Sequence, residues 1–127
     1  MEPISGTILI VEDNSDVGEM CVIILTKAGY GVRWAQSRTA ALTAMKNYRY
    51  DVVILDYTMP GMLVDEFITL ASTHQIVLMS ALTDIQDYTK RFGLKYALQK
   101  PFQPHDLIAV VQRLLDSGTS GKPAAES

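Results

Sequence analysis

Cysteine occurs once in this chain, as Cys21, so no internal disulfide can form and a reducing compartment is expected. Basic clusters are absent as well: 11 Lys and Arg stand against 14 Asp and Glu, a net charge of −3. Nucleic-acid-binding domains usually carry a basic stripe, so direct contact with nucleic acid is not expected. No apolar run approaches the ~20 residues of a membrane span, so no membrane partner is expected. The start, Met1-Glu2-Pro3-Ile4, lacks a basic region followed by an apolar stretch; it does not read as a signal peptide, and the cytoplasm is the expected location. Cys and His form no cluster, which disfavours zinc. No internal repeat is visible, and Cys21 falls inside an apolar helical stripe, where it reads as core rather than as a reactive thiol.

What the chain does have is four short apolar runs, each ending on a residue that can handle phosphate or a metal ion. Ile8-Leu9-Ile10-Val11 leads into Glu12-Asp13, and Val52-Val53-Ile54-Leu55 into Asp56. Ile76-Val77-Leu78-Met79 leads into Ser80, and Tyr96-Ala97-Leu98-Gln99 into Lys100-Pro101. Runs this short and rich in Val and Ile read as buried strands of a parallel sheet. Ligands of such open sheets sit just outside the carboxyl ends of the strands, where these polar residues arrive together.

Between the runs lie helical patterns. Val17, Met20, Cys21, Ile24, Leu25 and Ala28 recur at spacings of three and four, with Asn14 or Ser15 as the cap and Gly29 as the stop. Val32 and Trp34 alternate with polar neighbours, which suits a half-wet edge strand. Ser37 can cap a second helix burying Ala41, Leu42 and Met45 and ending near Tyr48. A short third helix, over about 63–72, follows the breaker Met59-Pro60-Gly61 and buries some of Val64, Phe67, Ile68 and Ala71. Thr83-Asp84-Ile85-Gln86 reads as a capping box opening a helix with Ile85, Tyr88 and Phe92 on one stripe and Gly93 as its stop. Pro104 suits the first position of a last helix with Leu107, Ile108, Val111, Leu114 and Leu115 inward.

Five β-α units in strict alternation give an α/β fold, a doubly wound parallel sheet with helices on both faces. The flavodoxin-like (βα)5 strand order 2-1-3-4-5 puts the half-wet second strand at an edge and sets the four polar strand ends side by side. The length suits one domain of ~100–150 residues, expected over 5–116, with 117–127 a tail or linker of Gly, Ser, Ala, Pro and Lys.

Glu12, Asp13 and Asp56 bring three negative charges together, and like charges so close need compensation. Mg²⁺, a hard dication taking carboxylate, carbonyl and water oxygens, relieves this, and Lys100 adds a fixed positive charge. The set suits phosphoryl transfer, which needs positioning and charge neutralisation above all. An ionised, metal-bound Asp56 can act as nucleophile and carry the group as an acyl phosphate. Mg²⁺ and Lys100 would then neutralise two phosphoryl oxygens, and the Ser80 hydroxyl would donate to the third. Each residue alone has a plainer reading: Asp13 or Asp56 as a helix cap, Ser80 as a strand-end serine, Lys100 as a solvated side chain. His74 and His105 lie off the strand ends and have no chemical role in this reading.

Over about residues 5–116 the chain resembles a response-regulator receiver domain of two-component signalling. The segments that carry the likeness are Ile10-Val11-Glu12-Asp13-Asn14, Leu55-Asp56-Tyr57-Thr58-Met59-Pro60-Gly61, Met79-Ser80-Ala81 and Gln99-Lys100-Pro101-Phe102. The resemblance implies that Asp56 is the phosphoacceptor, that Asp13 binds Mg²⁺ directly and Glu12 through a metal-bound water, and that the Thr58 carbonyl completes the protein ligands. It further implies that Lys100 pairs with Asp56 or its phosphoryl group, and that Ser80 is the switch hydroxyl. The implied phosphate source is a histidine kinase or histidine phosphotransfer protein, and the implied output is a downstream effector protein. Such a domain catalyses its own phosphorylation and dephosphorylation and is not a conventional turnover enzyme.

Three departures stand against the family pattern. The switch aromatic of receivers usually lies three positions before the lysine, and here that position is Ala97; Tyr96, one residue away, points to the other face of its strand. The stretch from Asp56 to Ser80 is about one helical turn short. Leu82, two positions after Ser80, stands near the approach of an attacking water. Ala97 leaves open a second reading, a receiver-like interaction module that acts without phosphorylation. A metal-dependent phosphatase with an aspartate nucleophile typically carries a second aspartate where this chain has Thr58, and FMN binding would meet repulsion from Glu12 and Asp13.

Overall fold

The central strand of the sheet, Val52–Asp56, is buried at every position, the signature of a strand covered on both faces. In the computed structural model residues 6–59, 61, 64–70 and 75–119 are described. Their elements run β1 (Thr7–Val11), α1 (Ser15–Lys27), β2 (Gly31–Ala35), α2 (Arg38–Asn47), β3 (Val52–Asp56), α3 (Val64–Leu70), β4 (Gln75–Ser80), α4 (Ile85–Arg91), β5 (Tyr96–Gln99) and α5 (Pro104–Thr119). All paired strands are parallel, in the order β2-β1-β3-β4-β5. The α/β doubly wound fold with order 2-1-3-4-5 is therefore observed as expected.

Successive residues of each strand serve opposite layers. Ile8, Ile10, Val52, Ile54, Val77 and Met79 pack with Cys21 and Leu25 of α1 and Leu107, Val111 and Leu114 of α5. Leu9, Val11, Val53, Leu55, Ile76 and Leu78 pack with Ala41 and Met45 of α2, Phe67 of α3 and Ile85 of α4. Register sets Val77 beside Tyr96 and Leu78 beside Ala97. Tyr96 accordingly joins the α1–α5 layer and Ala97 the other. Cys21 is fully buried, and burial first, then the charge of Glu12, pushes its thiol up to about 11, which fits a core residue.

Helix starts follow their caps in two cases: Asn14 accepts from Val17 N at 3.0 Å, and Ser37 accepts from Ala40 N at 3.1 Å. The capping box expected at Thr83–Gln86 does not form. Asp84 stands at the cap with φ −99° and ψ 21°, outside the extended region a side-chain cap uses, and makes no cap bond. Helix α3 is described over Val64–Leu70, within its expected span, and Leu63, Ala71 and Ser72, which that span included, lie outside the described residues, as does His74. Helix α5 runs on to Thr119, past the domain edge expected at residue 116, because adding a residue to a formed helix is cheap compared with starting one. The rest of the expected tail, 120–127, is outside the described residues. Among the described residues no helix is long and apolar enough to cross a membrane.

Candidate metal and phosphoacceptor site

Parallel pairing brings the carboxyl ends of β1, β3, β4 and β5 into one row. Val11 stands beside Leu55, Asp56 beside Met79, and Ser80 beside Gln99, so Glu12, Asp56, Ser80 and Lys100 emerge from neighbouring strands. One carboxylate oxygen from each of Glu12, Asp13 and Asp56 lies within 4.8 Å of the others. Glu12 and Asp56 are buried and Asp13 is exposed, so the cluster has two walls and an open side.

Lys100 closes one wall. Its Nζ donates to Glu12 Oε1 at 2.7 Å and lies 3.5 Å from Asp56 Oδ2. Thr58 holds the other oxygen of Asp56: its N–H and Oγ–H both reach Oδ1, at 3.0 and 2.9 Å. Burial is the main force on Glu12. It raises that carboxyl to about 7, with Asp56 adding to the rise and the bonds from Lys100 and the Asn14 amide opposing it. Burial pulls the Lys100 ammonium down, but its bond to Glu12 and the charges of Asp56 and Glu12 outweigh this and hold it above its ordinary value. The chain's own cation thus leaves the acids under-compensated. An all-oxygen donor set with surplus negative charge fits a hard divalent cation such as Mg²⁺.

Ser80 is fully buried, and its Oγ accepts from Leu82 N at 3.0 Å rather than engaging Asp56. Leu82 itself is 38% exposed at the rim. Lys100 is tied to the same strand end, its N–H donating to Ser80 O at 2.8 Å. Thr58 is exposed, next to Tyr57, whose ring lies 5.0 Å from Tyr88 and 6.2 Å from Phe92, both in the helix α4 region. His105 is 81% exposed on α5, away from the strand ends.

Two contributors escaped the sequence reading. Asn14 N donates to Glu12 Oε2 at 3.1 Å, and Trp34 Nε1 donates to the main-chain oxygen of Glu12 at 2.9 Å. Edge placement and half-burial of Trp34 agree with expectation, but its bond to the acidic turn was not anticipated. The available signal was Gly18, a glycine in the interior of a helix, which marks a close approach from another element.

Residues 8–112 match the family model of the response regulator receiver domain. The chain is similar to the DNA-binding response regulator MtrA of Mycobacterium tuberculosis, with 33% identity over 120 residues covering 91% of this chain and 53% of that protein. Transcriptional activator protein IrlR of Burkholderia pseudomallei is 31% identical over 116 residues, 87% of this chain and 51% of that protein. The chain therefore spans about half the length of the curated relatives it matches. Among solved structures, the chemotaxis protein CheY4 of Vibrio cholerae has a TM-score of 0.77 and 29% identity, over 88% of this chain and 99% of that one. With the family model matched over most of its length and a curated relative above 30% identity, the chain belongs to the response regulator receiver domains of two-component signalling.

Proposed function

We propose that this domain is a phosphoacceptor switch that takes a phosphoryl group onto Asp56 in a Mg²⁺-dependent reaction. The observation that carries the reading is the setting of Asp56. Its carboxylate is buried, restrained by Thr58 at Oδ1, faced by Lys100 at Oδ2, and set beside the acids Glu12 and Asp13. Glu12, Asp13, Asp56 and the main-chain carbonyl of Thr58 would hold the cation. Bound there, Mg²⁺ would offset the negative charge of the carboxylates and of an incoming phosphoryl group.

In the reaction an Asp56 oxygen attacks phosphorus of a phosphohistidine on a histidine kinase or phosphotransfer protein. The P–O bond forms as the P–N bond breaks, and the electron pair stays on the imidazole nitrogen. Lys100 pairs with a phosphoryl oxygen, a role its 3.5 Å distance from Asp56 Oδ2 supports. Ser80 donates its hydroxyl proton to another once its Oγ turns from Leu82 N. The loop after β4 follows, and the surface of α4, β5 and α5 changes its preferred partner, a downstream effector. The domain modifies itself rather than turning over a substrate, works in the cytoplasm and does not itself touch nucleic acid. A DNA-binding output, as the names of MtrA and IrlR describe for those proteins, would come from other segments or partners.

Incubation with MgCl2 and acetyl phosphate should add one phosphate, detectable by intact-mass spectrometry and removed by hydroxylamine. Asp56→Asn should abolish it, and full labelling of that variant would overturn the assignment. Ala97 favours a second reading, partner binding independent of phosphorylation. Equal partner affinity with and without beryllofluoride would select it.

A further inference from the structure

Gly18 lies inside α1, where glycine is a poor helix former. Its neighbour supplies the reason. A Cβ on Gly18 would overlap Cε2 and Cζ2 of the Trp34 ring and stand 2.5 Å from Nε1. Trp34 can therefore seat its indole against the helix only because position 18 has no side chain. From that seat Nε1 donates to the Glu12 carbonyl at 2.9 Å, while the Glu12 amide donates to Ala35 O of the same strand at 3.1 Å. The turn between β1 and α1 is thus gripped from β2 on both sides of Glu12.

The gripped carbonyl is part of the rigid peptide unit that also contains the Asp13 N–H. Holding that oxygen limits the two torsions flanking the unit, ψ of Glu12 and φ of Asp13, and these direct the Asp13 side chain. Repulsion among Glu12, Asp13 and Asp56 acts to open the turn. A donor on the carbonyl side opposes that opening without neutralising any acid.

We propose that Trp34 is a positioning residue: seated over Gly18, its indole N–H fixes the acidic turn so that the Glu12 and Asp13 carboxylates converge on a divalent cation. The inference rests on reading that cluster as a Mg²⁺ site. Hydrogen-bond partners outside a metal's ligands typically contribute about 10–100-fold to its affinity. Trp34 acts through the main chain rather than on a ligand atom, so a loss of roughly three- to tenfold is expected. Trp34 is also the only tryptophan, so its emission should change as the cation binds.

The test is titration of the ¹⁵N-labelled full chain with MgCl2, following the amides of Asp13 and Asn14, in the wild type, Trp34→Phe, Gly18→Ala and the double variant. Trp34→Phe and Gly18→Ala should each raise the Mg²⁺ dissociation constant about three- to tenfold. Gly18→Ala should also unfold more easily, and adding Trp34→Phe should restore stability, because the smaller ring leaves room for the Cβ, but not affinity. Benzothienylalanine in place of the single tryptophan keeps the two-ring shape and removes only the donor. It repeats the measurement if phenylalanine loosens the fold. Wild-type affinity in Trp34→Phe or the benzothienyl protein, or affinity recovered with stability in the double variant, would overturn the proposal. A wild type whose amides ignore MgCl2 would overturn the metal-site reading itself, and the proposal with it.

Discussion

On the β1 side of the site, the turn carrying Glu12 is bonded at its amide by Ala35, at its carbonyl by Trp34 and at its carboxylate by Lys100 and Asn14, and leads into a 13-residue helix with a side-chain cap. On the β4 side, the Ser80 hydroxyl oxygen is held by Leu82 N, and the loop leads into a seven-residue helix without a side-chain cap. The β5 position where receivers usually carry an aromatic holds Ala97. What fastens α4 to the core is Ile85 and Thr89, with Tyr88 and Phe92 against Tyr57. Under the proposed function the two sides do different work. Groups that must meet a small cation gain from being fixed, whereas elements that change state come from the less stable end of a fold. Tyr57 directly follows Asp56, so its contact with Tyr88 offers α4 a link to the proposed phosphoacceptor that does not pass through β5.

The strongest way to break the rigid side is to remove its cation. Lys100→Ala leaves the Glu12 and Asp56 carboxylates buried without a counter-charge. Breaking a fully buried pair costs about 3–5 kcal/mol. Lys100 keeps 20% of its side-chain surface and Glu12 can take up a proton, so we expect about 2 kcal/mol in urea unfolding of the metal-free protein at pH 8. MgCl2 should recover part of that loss by binding only the folded state. A loss below about 0.5 kcal/mol, the level of an exposed pair, would mean the acids are not held as described.

Next is the pH dependence of Glu12. Its carboxyl is raised from 4.5 to about 7 in the folded chain, mainly by burial, so the fold keeps a proton that the unfolded chain releases. The stabilisation this gives is complete below about 4.5 and is lost as pH rises towards 7. Glu12→Gln cannot titrate. In metal-free buffer the wild type should therefore lose stability relative to Glu12→Gln as pH is raised from 4.5 to 8, in paired denaturation curves. A difference that stays level across that range would show that Glu12 is not raised.

The row of strand ends was legible because strands covered on both faces read as unbroken apolar runs, and the first polar residue after each marks the sheet's edge. The face of Tyr96 was legible for a similar reason: side chains alternate along a strand, so one residue decides the layer, as the pairing of Val77 with Tyr96 shows. The bond from Trp34 was not legible. A side chain that crosses to a main-chain carbonyl 22 residues away leaves no mark on hydrophobic period, and only the misfit of Gly18 hinted at it. Thr83-Asp84-Ile85-Gln86 had the right residues for a capping box, yet the backbone at Asp84 is not extended, so composition misled where a torsion decided. The length of α5 was missed because its last residues were judged by propensity, and a helix already formed carries weak residues along with it.

The smaller predictions separate the two sides directly. Asn14→Ala removes the acceptor for Val17 N and should cost about 1 kcal/mol, whereas Asp84→Ala should cost no more than a few tenths, because no side-chain cap bond is lost. Equal losses would erase the contrast between the helix starts. The smallest effect concerns the rim of the β4 side. Leu82 is 38% exposed, and its main chain, through N–H to Ser80 Oγ, is tied to the proposed switch hydroxyl. Its apolar side chain is poor company for a water attacking the phosphoryl group, since it offers neither donor nor acceptor. Leu82→Asn keeps the backbone N–H and adds polar atoms. The phosphoaspartate half-life after removal of acetyl phosphate should fall about two- to threefold, under 1 kcal/mol of barrier. Phosphorylation at Asp56 should still go to completion. An unchanged half-life would make Leu82 a bystander and leave its backbone bond to Ser80 as its only tie to the site.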